Sequence, residues 1–147
     1  MTNTPESIVY SARAIVRGGR QGEGFSHNPD ITLKLATPKV MGGDGEGTNP
    51  EQIFAIGYGA CFQGALALAS KDIGISSKDS VVGVNVGLGP EGESFAITVD
   101  IEVFVPDVAV EDVQKLADRT HELCPYSKAT RGNVQVNVTA VESAPRG

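Results

Sequence analysis

The chain has 147 residues, 40% of them hydrophobic, with 12 Lys and Arg residues against 18 Asp and Glu residues. This length suits one compact domain, so we expect a single domain over residues 1–147. The net charge of -6 argues against a nucleic-acid partner, because phosphate binding requires a basic face. The N-terminus lacks the basic start and apolar run of a signal peptide, which favours a cytoplasmic location.

Alternating apolar residues predict five β-strands, because side chains on one face of a strand recur every second residue. The apolar faces of these strands lie at residues 8–16, 31–35, 82–88, 97–105 and 134–140.

Two helices interrupt the strand pattern. The first begins at Asn49-Pro50, where Asn49 suits the cap position and Pro50 the first turn, and it runs to about Lys71. It is apolar almost all round, which indicates burial on most sides and favours a subunit interface. Its apolar stretch at residues 53–69 is short and interrupted by glycines, which argues against a membrane span. The second helix covers residues 109–124, and the whole order of elements predicts an α+β fold.

The two cysteines are Cys61, in the middle of the first helix, and Cys124, which precedes Pro125 at the end of the second. Each has an ordinary interpretation as a buried residue, since free Cys is among the most buried residue types. They do not form a CxxC motif, and their spacing to His27 and His121 does not resemble a zinc site, so no metal is expected. A distant pair that approaches in the fold and cycles between thiol and disulfide remains open.

Two charged residues also have both a structural and a chemical interpretation. Arg20 follows Gly18-Gly19, and a tight glycine turn would place its side chain accurately, although most loop arginines are simply solvated. Glu51 lies in the first turn of the first helix, where a carboxylate routinely offsets the helix dipole.

Six sequence motifs, in order and nearly end to end, make the chain similar to a known family. It resembles the organic hydroperoxide resistance (Ohr) branch of the OsmC/Ohr superfamily. The motifs are Gly18-Gly19-Arg20, Thr37-Pro38-Lys39, Asn49-Pro50-Glu51-Gln52, Gly57-Tyr58-Gly59-Ala60-Cys61-Phe62, Cys124-Pro125-Tyr126-Ser127 and Ala129-Thr130-Arg131-Gly132-Asn133.

The resemblance implies a fold, an activity and a set of roles. The fold would be an intertwined homodimer with antiparallel sheets wrapped around long central helices. The activity would be reduction of organic hydroperoxides, in which Cys61 attacks the peroxide, Cys124 forms a disulfide with it, and Arg20 and Glu51 assist. No cofactor would be bound, and an external dithiol, a lipoyl group on a carrier protein, would reduce the disulfide.

Physical chemistry gives these implied roles a rationale. A free Cys has a pKa of about 8.5, so a nearby Arg20 would favour the reactive thiolate, and Glu51 would orient the guanidinium fork. Aromatic rings close to both cysteines in sequence favour alkyl or fatty-acid hydroperoxides as substrates, unless they are simply core residues. These candidate pocket residues are Phe54, Tyr58, Phe62 and Tyr126.

Helix geometry bears on how such a site would be assembled. Glu51 and Cys61 are ten residues apart, which places their backbones ~15 Å apart along a straight helix and about 80° apart around it. We therefore expect a site built from two chains, with Arg20 and Glu51 supplied by the partner. Two other functions stay open from the residues alone, a redox sensor and a module that binds an apolar ligand with its cysteines reduced.

Overall fold

The computed structural model describes residues 2–147. Contacts divide the chain into two compact units, one ending at Ile53 and the other beginning at Phe54. The expectation of a single domain over residues 1–147 stays a prediction.

The N-terminal unit contains a three-stranded antiparallel sheet, in the order β1 (Ala14–Arg17), β2 (Glu23–Ser26), β3 (Ile31–Lys34). The predicted first strand is wrong over residues 8–13, which are exposed and form no ladder within the chain. The alternating apolar side chains there, among them Ile8 and Tyr10, stay largely exposed. Strand β2 was not predicted, because its sequence EGFS carries only one large apolar residue.

The C-terminal unit contains a second sheet, in the order β4 (Val81–Glu91), β5 (Ser94–Phe104), β6 (Gln135–Ala140). β4 and β5 form a long antiparallel hairpin whose turn includes Gly92 in the left-handed region, at φ 58°. β6 pairs with β5 in parallel, so the expectation of purely antiparallel sheets is wrong at this pair. A parallel partner needs a long crossover connection, which the helices between β5 and β6 provide.

Three helices accompany the sheets: α1 (Pro50–Ile73), α2 (Val110–Leu123) and the short α3 (Pro125–Thr130). The predicted N-terminal cap of α1 is confirmed, since the Asn49 side chain accepts a hydrogen bond from the Gln52 amide at 2.9 Å. Only Cys124 separates α2 from α3, which begins at Pro125.

The core of the C-terminal unit lies where α1 and α2 pack with the strand β5. On α1 the fully buried side chains are Tyr58, Phe62, Leu66 and Ala69, which meet Val99 among others. By length and composition alone α1 could span a membrane, with a mean hydropathy of 1.5 over its most apolar window. Helices at the core of globular proteins have the same composition, and α1 fills that role here.

Candidate active site

The two cysteines, far apart in sequence, meet within the C-terminal unit. Cys124 Sγ lies 3.7 Å from Cys61 Sγ, and both thiols are free. Cys61 projects from the middle of α1 and is half-buried, whereas Cys124 is fully buried in the core. A disulfide has a sulfur–sulfur distance of about 2.05 Å, so a shift of less than about 2 Å would join the pair.

The position of Cys124 follows from the proline after it. A residue before proline is disfavoured in the helical region, and Cys124 is accordingly extended, at φ -63° and ψ 124°. Helix α2 therefore ends at Leu123, and Pro125 occupies the first turn of α3. This junction directs the Cys124 side chain inward to α1.

Burial raises the pKa of the Cys61 thiol, because a buried site disfavours the charged thiolate. The neighbouring Cys124 raises this pKa further, while a backbone hydrogen bond from Tyr126 lowers it. The surroundings of Cys61 within its own chain thus favour the less reactive, protonated thiol on balance.

The second pair of predicted residues meets within the N-terminal unit. Arg20 Nη1 donates to Glu51 Oε2 at 2.8 Å and Nη2 donates to Oε1 at 2.6 Å, so the expected bidentate fork is present. The Arg20 side chain remains 36% exposed and that of Glu51 17%. These hydrogen bonds raise the pKa of Arg20 and lower the pKa of Glu51. Gly18 precedes the turn with φ 78°, a backbone conformation that other residues rarely adopt.

The four predicted pocket residues differ in exposure. Tyr58 and Phe62 have no exposed surface, Phe54 is partly buried, and Tyr126 is 41% exposed. The Tyr126 ring packs against Phe54 and Tyr58, with centroid distances of 6.2 and 5.7 Å. Substrate in contact with this chain as it stands would therefore meet Tyr126 and Phe54 before the other two rings.

A buried polar network beside the cysteines was not predicted. Tyr58 Oη lies 2.8 Å from Ser127 Oγ and 3.1 Å from Thr130 Oγ1, and His121 Nδ1 lies 2.7 Å from Ser127 Oγ. Ser127 and Thr130 both belong to the motifs that carry the family resemblance, which was the available signal. Nothing in the sequence alone shows which hydroxyl meets which.

Within residues 2–147, no group of three or more His, Cys, Asp or Glu side chains is arranged to hold a metal ion. The chemistry that the arrangement offers is that of two adjacent thiols and a separate Arg–Glu pair.

Comparisons with known proteins identify the family and the fold. A family model described as OsmC-like protein matches residues 43–139. An organic hydroperoxide resistance protein of Xanthomonas axonopodis pv. citri is 42% identical over 138 residues, covering 92% of this chain and 97% of that protein. The crystal structure of OhrB of Bacillus subtilis, an organic hydroperoxide resistance protein, has a TM-score of 0.81 at 38% identity and covers 91% of this chain and all of its own.

An organic hydroperoxide resistance protein OsmC from Legionella pneumophila gives a TM-score of 0.85 at 34% identity, covering 91% of this chain and 98% of that one. These similarities confirm the resemblance and the OsmC/Ohr-like mixed α and β fold, whereas the intertwined homodimer stays a prediction. The chain belongs to the OsmC-like family, in its organic hydroperoxide resistance branch.

Proposed function

We propose that this chain is a thiol-dependent peroxidase that reduces organic hydroperoxides, with Cys61 as the attacking thiol and Cys124 as the resolving thiol. The observation that carries this proposal is the 3.7 Å separation of the two sulfur atoms. Their exposure supports the order of attack, because an incoming peroxide reaches the half-buried Cys61 before the fully buried Cys124. Membership of the organic hydroperoxide resistance branch supports the substrate class.

The reaction proceeds in three steps. The Cys61 thiolate attacks one peroxide oxygen, the O–O bond breaks, and the alkoxide takes up a proton and leaves as an alcohol. Cys61 is then a sulfenic acid, which Cys124 attacks at sulfur, so that the S–O bond breaks and water leaves as the disulfide forms. An external dithiol restores both thiols by two exchange reactions and is itself oxidised to a disulfide.

The first step requires a cation beside Cys61, because burial raises the pKa of this thiol within its own chain. The Arg20–Glu51 fork is the candidate source of that cation. Helix α1 is continuous from Pro50 to Ile73, so the ~15 Å axial separation of Glu51 and Cys61 expected for a straight helix applies to it. We therefore assign the assisting charge to the partner's Arg20, oriented by the partner's Glu51.

The surface of α1 supports a homodimer in which a second copy supplies this pair. Ile56 is 73% exposed and Leu68 is 62% exposed, although both lie on the helix that forms the core. Exposed Ala60 and Gly64 lie between them, and small residues allow two helices to approach closely. A second α1 running past this face would cover it and would bring the two chains' residues together.

The aromatic side chains support organic rather than inorganic peroxide as the substrate. The half-exposed Tyr126 ring, on the segment that also holds Cys124, and the neighbouring Phe54 of α1 together offer an apolar surface. An alkyl group would gain about 0.8 kcal/mol for each CH₂ buried against such a surface, whereas hydrogen peroxide gains nothing there. Tyr58 and Phe62 would support the rings from the core.

For the reductant, we propose a lipoyl dithiol on a carrier protein, with no cofactor bound by the chain itself. The family resemblance is what supports this assignment. A cytoplasmic location agrees with it, because reducing compartments supply dithiols and keep free thiols reduced.

The test is thiol titration followed by turnover. One equivalent of tert-butyl hydroperoxide should remove two thiols per chain, and dihydrolipoamide should restore them. Hydrogen peroxide should react more slowly than the organic hydroperoxide, and glutathione should support less turnover than dihydrolipoamide. If folded protein keeps both thiols after exposure to excess organic hydroperoxide, the peroxidase proposal fails and an apolar-ligand module becomes the better explanation.

A further inference from the structure

The buried hydroxyl network has no part in the three reaction steps, yet it lies beside the reacting thiols. Tyr58 Oη meets Ser127 Oγ at 2.8 Å, and both residues have no exposed surface. His121 Nδ1 contacts the same Ser127 oxygen at 2.7 Å, while Thr130 Oγ1 lies 3.1 Å from Tyr58 Oη. Three buried hydroxyl groups and the partly buried His121 ring thus satisfy one another at the edge of the core, and such networks help to specify one arrangement.

The hydroxyl network and the two thiols lie on the same two segments of the chain, at the same spacing in sequence. Tyr58 lies three residues before Cys61 on α1, and Ser127 lies three residues after Cys124. Residues three apart on a helix lie on the same face, so Tyr58 and Cys61 project from one face of α1. Cys124 is extended, but it immediately precedes α3, whose first turn leads to Ser127. The Tyr58–Ser127 hydrogen bond and the Cys61–Cys124 contact therefore join the same two segments, α1 and the start of α3, at neighbouring points.

The directions of these hydrogen bonds are consistent with neutral His121. Burial lowers the pKa of His121, as does the nearby charge of Arg131, while Asp118 raises it. In the tautomer of neutral His121 that carries its proton on Nε2, Nδ1 accepts from the Ser127 hydroxyl, which leaves the Ser127 oxygen free to accept from Tyr58. The hydrogen bonds thus connect α1 to α3 through Tyr58 and α3 to the last turn of α2 through His121.

We propose that the Tyr58 hydroxyl, through its hydrogen bond to Ser127, is a positioning group for the resolving thiol. This inference rests on the proposed peroxidase function. Cys124 lies at an extended junction between two helices, so α3 can tilt away from α1 unless a contact holds it. The Tyr58–Ser127 bond holds α3 in place while the sulfur atoms close from 3.7 Å.

The position of Cys124 matters because two reactions compete for the Cys61 sulfenic acid. The Cys61 sulfenic acid has two fates: Cys124 attacks its sulfur and water leaves, or a second hydroperoxide oxidises it to sulfinic acid and leaves as alcohol. The first fate depends on the position of Cys124, whereas the second depends on the hydroperoxide concentration. A tethered α3 raises the rate of the first without affecting the second.

The experiment measures the partition between these fates in Tyr58→Phe, which keeps the ring and removes the hydroxyl. The readout is the tert-butyl hydroperoxide concentration at which half of Cys61 becomes sulfinic acid per turnover, determined by intact mass spectrometry with dihydrolipoamide as reductant. The rate of the first step does not enter this ratio. We expect the concentration to fall about fivefold, the factor that one net hydrogen bond contributes.

Two further variants separate positioning from general loss of structure. Tyr10→Phe makes the same chemical change at an exposed tyrosine of the N-terminal unit and should keep the wild-type partition. Ser127→Ala should shift the partition at least as far as Tyr58→Phe, and the double variant should shift it no further than Ser127→Ala. A purely structural role would lower the Tm of Tyr58→Phe and leave its partition unchanged.

The outcomes distinguish this inference from the function on which it rests. If wild-type protein forms neither disulfide nor sulfinic acid with hydroperoxide, the proposed function fails. If wild-type protein turns over and Tyr58→Phe partitions as wild type does, the positioning role of Tyr58 is overturned. Additive effects in the double variant would also overturn it, because they would show that the two hydroxyls act separately.

Discussion

The two predicted pairs of site residues occupy contrasting environments. Cys61 and Cys124 lie in the C-terminal unit, where packing of α1 and α2 brings their sulfur atoms together in or beside the core. Arg20 and Glu51 lie in the N-terminal unit, where a glycine turn and a bidentate ion pair hold them in partial contact with solvent. Apolar burial positions one pair, and charge positions the other.

The contrast shows what each region lacks. Burial raises the pKa of Cys61, the proposed nucleophile, and the surroundings of the thiol pair within its own chain do not offset that effect. The ion pair holds a cation whose charge is balanced by a carboxylate, and it contains no nucleophile. A thiolate beside a guanidinium fork needs both regions, and an antiparallel pair of chains would supply them.

The largest effect is expected at the nucleophile. Cys61→Ser should abolish peroxide consumption, because a serine hydroxyl is not ionised at neutral pH. Cys124→Ser should allow one oxidation per chain and then stall, with Cys61 converted to sulfinic acid by excess hydroperoxide. Peroxide consumption coupled to dithiol oxidation measures both results. Sustained wild-type turnover by Cys124→Ser would contradict the assignment of the resolving thiol.

The next prediction tests whether Cys61 of one chain works with Glu51 of the other chain in a dimer. Cys61→Ser and Glu51→Ala homodimers should each be nearly inactive, but subunit exchange between them should restore one competent site per mixed dimer. Random mixing makes half of the dimers mixed, so about a quarter of wild-type activity should return. The site would consist of the Glu51→Ala chain's intact Cys61 and the other chain's intact Glu51.

Subunit exchange must be verified before this result is interpreted, and native mass spectrometry of the mixture provides that control. Verified mixed dimers without recovered activity would show that the site lies within one chain. A protein that is both monomeric and active would reject the shared site directly.

Charge and geometry at Arg20 can be separated by two substitutions. Arg20→Lys keeps the charge and loses the planar fork, so the second-order rate with hydroperoxide should fall about tenfold, as for loss of one charge-assisted hydrogen bond. Arg20→Met also removes the charge. Because burial raises the pKa of Cys61, the rate of this variant should rise only at higher pH than in wild type. Stopped-flow rates between pH 5 and 10 measure both effects.

The matched control is Arg17→Lys, at an exposed arginine of β1 three residues earlier. It should keep the wild-type rate and pH profile. Identical pH profiles for wild type and Arg20→Met would remove Arg20 from activation of the thiol.

The C-terminal unit was largely predictable from sequence, because apolar periodicity reports burial within the same chain. Residues 82–88 lie in a strand as predicted, residues 135–140 of the predicted 134–140 do so as well, and α1 begins at the predicted Asn49 cap. The pattern at residues 8–13 failed, since apolar alternation does not by itself supply a neighbouring strand to pair with, and these residues are exposed. The parallel pairing of β6 was not predictable, because the strand pattern carries no direction.

For the candidate site, the sequence identified the residues with unusual chemistry but not the buried hydroxyl groups that hydrogen-bond near them. Cys61, Cys124, Arg20 and Glu51 carry rare or charged groups in recognisable motifs, and the structure brings them together in two pairs. Ser127 and Thr130 are common polar residues whose importance depends on a buried tyrosine 69 and 72 positions away. Such contacts arise only from tertiary packing.

The smallest expected effect is on the pH dependence of the free energy of unfolding. It comes from His121, the one histidine of the C-terminal unit. Burial first, and then Arg131, lowers the pKa of His121 in the folded chain, against a smaller opposing effect of Asp118. The unfolded chain, with a histidine pKa of about 6.5, therefore binds more protons than the folded chain just below that pH. This contribution to stability is complete above the unfolded pKa and is lost as the pH falls toward the folded pKa.

His121→Gln keeps a polar side chain that cannot titrate. Between pH 7.5 and 5.5, the free energy of unfolding of wild type should fall further than that of His121→Gln, measured by urea unfolding at one fixed protein concentration so that assembly does not interfere. His27→Gln, which changes an exposed histidine of the N-terminal unit, should retain the wild-type loss at low pH. If His121→Gln loses as much stability as wild type, the acid sensitivity lies outside the network that holds α3, and His121 takes up its proton equally in the folded and unfolded chains.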